Sequence, residues 1–141
     1  MEFSRRETIA LGLGAVALTF MPLRVNAQEA LADEAIAEFT GGADIGDGGV
    51  SVTAPEIAEN GNTVPIAVAA PGAVSILLIA AGNPVPKVAV FNFGEMAAAQ
   101  SASTRIRLAG TQDVLAIAKM ADGSFVQASA AVKVTIGGCG G

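Results

Sequence analysis

From residue 50 onward the chain alternates hydrophobic and polar positions in short runs, each closed by turn residues. Val50 and Val52 alternate with Ser51 and Thr53. After the turn Asn60-Gly61-Asn62, Val64, Ile66 and Val68 alternate with small residues, and Pro71-Gly72 breaks the chain again. Val88 and Val90, with Phe91 and Phe93, mark a further run. Thr104, Ile106 and Leu108 point one way, and Ser103, Arg105 and Arg107 the other. Residues 113–120 predict a strand, Asp122-Gly123 a hairpin turn, and residues 125–136 the returning strand. A period of two marks a strand with one buried face. Residues 74–81 are apolar on both faces, so that strand is either central or covered by another molecule. Residues 94–102 are Ala-rich and read as a loop with at most one helical turn. About seven strands at regular spacing predict an all-β, immunoglobulin-like sandwich.

Two segments precede the strands. Residues 29–39 predict a short helix, with Leu31, Ala35, Ile36 and Phe39 at helical spacing and Gly41-Gly42 as its stop. One amphipathic helix packs across a sheet or a partner. The loop 44–49 has some calcium-loop chemistry but no bidentate Glu at the required offset, so it reads as a plain loop. Residues 1–27 read as an export signal. Arg5 and Arg6 precede an apolar run over 9–23, and Val25-Asn26-Ala27 makes a small-residue cleavage site. Ser4-Arg5-Arg6-Glu7-Thr8-Ile9 is similar to a twin-arginine signal, although Thr8 stands where that motif usually has Phe. The division is therefore 1–27 signal, 28–136 helix plus sandwich, and 137–141 a mobile tail, with the periplasm as destination.

Composition narrows the chemistry. The chain has 141 residues, no histidine and one cysteine. That excludes histidine acid–base catalysis, an internal disulfide and a cysteine metal cluster. Losing Glu2, Glu7, Arg5, Arg6 and Arg24 with the signal leaves 11 acids and 5 bases, a net −6. Such a balance excludes nucleic acid as partner and places no strong anion pocket on the body, so recognition of anionic substrates is expected to fall to other proteins. No cysteine follows the cleavage site, which excludes a lipid anchor there. Glu56 and Glu59 read as solvated carboxylates; Arg105 and Arg107 read first as outward-facing strand residues, with anion binding as the alternative.

One reactive atom remains. Cys139 stands in Gly137-Gly138-Cys139-Gly140-Gly141 at the C-terminus. Four residues without a Cβ bring no side chain to pack, so the tail is expected to be untied from the body from Gly137 onward. Five extended residues reach about 17 Å. Their slimness would let the sulfur enter a narrow tunnel. A lone thiol in an oxidising compartment is a liability unless it is used. A thiol without catalytic machinery points to a carrier or tether. An immunoglobulin-like assembly module, or a metal or redox relay, stays open on residues alone.

Several stretches resemble one family. They are Pro55-Glu56-Ile57-Ala58-Glu59-Asn60-Gly61, Asn83-Pro84, Val88-Ala89-Val90-Phe91, Ser103-Thr104-Arg105-Ile106-Arg107-Leu108-Ala109, Ala121-Asp122-Gly123 and the terminal Gly-Gly-Cys-Gly-Gly. In this order they resemble SoxY, the substrate-carrier subunit of the bacterial sulfur-oxidising Sox system. The resemblance implies a heterodimer with the companion subunit SoxZ, no cofactor, and sulfur intermediates held covalently on Cys139. It also implies partner enzymes: a c-type cytochrome that joins thiosulfate to the thiol, a hydrolase that releases sulfate, and a sulfane dehydrogenase. The companion subunit is expected to cover one face of residues 74–81.

Overall fold

The computed structural model describes residues 27–138. Residues 1–26, which include all but the last residue of the expected export signal, and Cys139, Gly140 and Gly141 lie outside the described residues. The last strand organises the rest. β9 (Phe125–Ile136) pairs antiparallel with β8 (Gln112–Met120) through the hairpin turn at residues 121–124. β8 pairs with β5 (Ala73–Ala80), and β5 with β6 (Lys87–Asn92). A three-stranded sheet of β2 (Ser51–Thr53), β4 (Val64–Ala69) and β7 (Ser101–Ile106) lies opposite. Val64, Ile66 and Val68 pack against Ile76, Leu78, Val114 and Val132 between the sheets. This is the expected immunoglobulin-like β-sandwich.

Two strands were not expected. β1 (Ile45–Asp47) and β3 (Ile57–Asn60) both pair parallel with β9, at its start and at its end. Segments read as loops therefore become strands because β9, 12 residues long, offers them a backbone edge. β7 also begins earlier and stops earlier than its side-chain alternation predicts, at Ile106 instead of Leu108.

Helix α1 (Ala27–Thr40) corrects a second expectation. It lies across the large sheet, where Ala32, Ala35, Ile36 and Phe39 cover Leu77, Ile79, Ile117 and Phe125. Phe39 and Phe125 meet edge to face, with ring centroids 5.9 Å apart. Gly41 and Gly42 end the helix at φ of 65° and 82°, where a side chain would be strained. From Ser75 to Ala80 every residue of β5 is buried, one face by the sandwich core and the other by α1. The double-sided apolar strand is therefore central and covered by its own chain, so no companion is needed to bury it.

The β8–β9 turn carries the one shifted carboxyl among the described residues. Asp122 Oδ1 accepts bonds from Ser124 Oγ at 2.6 Å and Ser124 N at 2.9 Å, and these hold its carboxyl below the ordinary value. A lowered folded value means the turn gains stability above the unfolded aspartate range and loses it as pH falls through the folded value. An NMR titration of the Ser124 amide should show its midpoint below 3.8. A midpoint at or above that value would contradict these bonds in solution.

Candidate functional site

The site is the place where the tail leaves the body. Three loops distant in sequence meet there through backbone groups alone. Gly61 N donates to Ile136 O at 2.7 Å, Leu108 N to Gly61 O at 2.8 Å, and Gly138 N to Leu108 O at 2.8 Å. Each segment thus supplies both a donor and an acceptor, and the three bonds close a chain from β3 through residue 108 to the tail. Buried backbone groups require such partners.

The approach is too close for side chains. A Cβ on Gly61 would collide with Leu108 O, stand 2.8 Å from Gly138 N and 2.9 Å from Val134 Cγ1. One on Gly137 would collide with Ala109 O, and one on Gly138 would sit 2.8 Å from Gly61 O. None of these three glycines has a positive φ. What they supply is room for backbone contact.

A polar pair braces the middle loop. Asn83, 3% exposed, donates from Nδ2 to Arg107 O at 2.7 Å and accepts from Ala109 N at 2.9 Å. Gln112 Nε2 donates to Asn83 Oδ1 at 2.9 Å and to Gly110 O at 3.1 Å, while Gly82 N donates to Gln112 Oε1 at 2.9 Å. Thr111 Oγ1 accepts from Val134 N at 3.0 Å. Leu108 itself is fully buried in the sandwich core. The loop that receives Gly138 is therefore fixed by its own side chain below and by Asn83 and Gln112 beside it.

These contacts correct the expectation for the tail. Gly137 and Gly138 are not untied from the body, and Gly138 is buried. Because a glycine carries no side chain, it can dock by backbone alone, which its sequence pattern does not reveal. The bond at Gly138 holds the residue that directly precedes Cys139 in sequence, so the body reaches one residue short of the thiol instead of five. Asn83, Gln112 and Gly61 are the positioning residues that sequence reasoning passed over. Gly61 reads as a turn residue, and both Gly61 and Asn83 lie in stretches that carry the family resemblance, without a positioning role being evident. Arg105 and Arg107 are exposed on β7 and just beyond it, as the alternation predicts. Glu56 and Glu59 are exposed on and beside β3.

Comparisons with known proteins fit this geometry. A family model described as sulfur oxidation protein SoxY matches residues 36–139. The sulfur carrier protein SoxY from Chlorobium limicola f thiosulfatophilum is 36% identical, with a TM-score of 0.66, covering 76% of this chain and 98% of its own. A superoxide reductase (neelaredoxin) from Ignicoccus hospitalis is 17% identical, with a TM-score of 0.54, over 62% of this chain and 80% of its own, a likeness of fold alone. No curated protein matches the sequence.

Proposed function

The chain belongs to the SoxY family of sulfur oxidation proteins, and from that premise we propose that Cys139 carries sulfur intermediates covalently among periplasmic enzymes. The observation behind this reading is the glycine junction at Gly61, Leu108 and Gly138, which fixes the residue next to the thiol and adds no side chain around it. Gly140 and Gly141 leave the other side of the sulfur equally slim, so an enzyme can close around it. The exported chain, residues 28–141, works as a heterodimer with SoxZ.

The chemistry divides between carrier and partners. The Cys139 thiolate and thiosulfate form a new S–S bond, giving Cys–S–S–SO₃⁻ and releasing two electrons to a c-type cytochrome. A hydrolase then cleaves the S–SO₃ bond with water, giving Cys–S–S⁻, sulfate and two protons. A sulfane dehydrogenase oxidises the sulfur that remains. The carrier supplies no oxidant and no base. An unperturbed thiol has a pKa near 8.5, so the visiting enzyme must favour the thiolate.

Anchoring at Gly138 sets how the thiol is delivered. An enzyme with a shallow site can approach the junction directly, where Ile136 is exposed beside it. A deeper site requires the bond from Gly138 N to Leu108 O to open, at about 0.5–1.5 kcal/mol. That cost is small enough to be reversed at each exchange.

Peptide mass spectrometry of the C-terminal segment tests the proposal on protein purified from its own periplasm. Thiosulfate with the oxidising partner should add the S–SO₃ group to the wild-type peptide and nothing to the Cys139→Ser peptide. An adduct on another residue, or full sulfur oxidation with the Ser variant, would remove Cys139 from the role.

A further inference from the structure

The mature chain has 11 acids against 5 bases, yet three of those five bases line one cleft. It measures about 370 Å³ and opens between β6 and β7, the edge strands of the two sheets on the same side of the sandwich. Lys87 enters from β6, and Arg105 and Arg107 from β7 and the turn after it. No Asp or Glu lines the walls. Lys87 pairs with Glu38 at 3.4 Å on the surface, a weak exposed contact. Neither arginine has a carboxylate partner among the described residues. Two guanidinium groups held two positions apart on one face, without counter-charges, repel one another unless an anion lies between them.

We propose that this cleft binds a small tetrahedral sulfur oxyanion, either a sulfonate or free sulfate. Guanidinium groups grip such oxygens in pairs, through two parallel N–H bonds. The size suits a small molecule. The net −6 of the surrounding body disfavours a large polyanion such as nucleic acid or an acidic protein. The location adds a functional link, because the cleft and the tail root share one loop. Arg107 O is held by Asn83, and the next residue's carbonyl holds Gly138 N–H. The backbone of Arg107 is thus one residue from the carbonyl that anchors Gly138. The acidic overall balance concealed this concentration of positive charge.

The ligand has two sources, the sulfonate end of a group carried on Cys139 and the free sulfate released from it. The first rests on the carrier reading of Cys139 and the second does not. NMR of the Arg105 and Arg107 Nε–H signals, and of the Lys87, Ala89, Thr104 and Ile106 backbone amides that the arginine variants retain, separates them in the mature protein. One arm titrates sodium sulfate against sodium chloride at matched ionic strength. The other loads Cys139 with tetrathionate, in which the thiolate attacks a central sulfur, takes S–SO₃⁻ and expels thiosulfate; Cys139→Ser is the blank.

Saturable sulfate shifts, about tenfold weaker in R107Q and lost in the R105Q/R107Q double variant, are expected, with matching shifts on loading. Shifts with free sulfate alone support the cleft and assign it to released product. Shifts on loading alone support it and assign it to the carried sulfonate. Equal shifts with chloride, or none in either arm, overturn the proposal. Failure of Cys139 to take the adduct would count against the carrier reading and leave the sulfate arm to decide the cleft.

Discussion

Gly137→Ala is expected to lower the melting temperature by about 8–12 °C, from the addition of one methyl group. The added carbon would overlap Ala109 O and approach Ala109 C to 3.2 Å. Both are backbone atoms, so neither can swing aside as a side-chain end would. Relief requires residues 108–110 or the end of β9 to move. Either movement strains the bonds from Gly138 N to Leu108 O and from Gly61 N to Ile136 O. Overpacking costs about 1–3 kcal/mol, and partial loss of two hydrogen bonds adds about 1 kcal/mol. No left-handed backbone conformation is involved, because Gly137 has no positive φ. The effect is therefore purely steric and separates two roles for this glycine. A residue serving only flexibility or access would accept Ala with no change in melting. Calorimetry decides between them, and an unchanged transition would show that the tail root is not seated as described. Gly61→Ala should act similarly from the other side of the junction. The double variant should cost less than the two single changes together, because both break the same three-bond chain.

That junction also shows what the amino-acid pattern could and could not reveal. The sandwich was legible because β4 alternates large apolar residues (Val64, Ile66, Val68) with smaller ones, and β9 alternates apolar residues with Gln127, Ser129, Lys133 and Thr135. Helix α1 was legible from Ala35, Ile36 and Phe39, although its partner was not, and Leu31, expected on the same face, is 46% exposed while Ala32 packs in its place. β5 is apolar on both sides whether a helix or another protein covers it, so only the structure assigns that face to Ala32, Ala35 and Phe39. β1 and β3 escaped notice for a different reason. They are three and four residues long, mostly exposed, and defined by hydrogen bonds to β9, not by a hydrophobic face of their own. Register with a distant strand leaves no local periodicity. The tail root is the extreme case, since Gly61, Gly137 and Gly138 meet through backbone atoms and have no side chains to form a pattern. The stretches that resembled the SoxY family nevertheless include Gly61, Asn83, Arg107-Leu108-Ala109 and Gly137-Gly138. They lie apart along the chain and converge at one point in the fold.

Asn83→Leu should be comparably damaging, although leucine matches asparagine closely in size and the site is buried. Asparagine here is 3% exposed and satisfied on both ends of its amide. Leucine would leave Arg107 O without its donor and Ala109 N and Gln112 Nε2 without their acceptor. Gln112 keeps its bond to Gly110 O and so is only partly orphaned. Each unsatisfied buried group costs about 1–3 kcal/mol. The apolar side chain recovers part of this through burial, so a net loss of about 2–3 kcal/mol is expected. The consequence should be local before it is global. Residues 107–110 would loosen first, and with them the carbonyl that holds Gly138. Amide exchange should therefore accelerate at Leu108, Ala109 and Gly138 in Asn83→Leu while β5 and β8 keep their protection. Asn83→Asp is the informative companion. It retains the acceptor for Ala109 N but turns the donor to Arg107 O into a second acceptor, so it should weaken the loop without filling the site with an apolar group. Uniform exchange across the sandwich in the Leu variant would show that Asn83 supports the core as a whole and has no particular part in holding the tail.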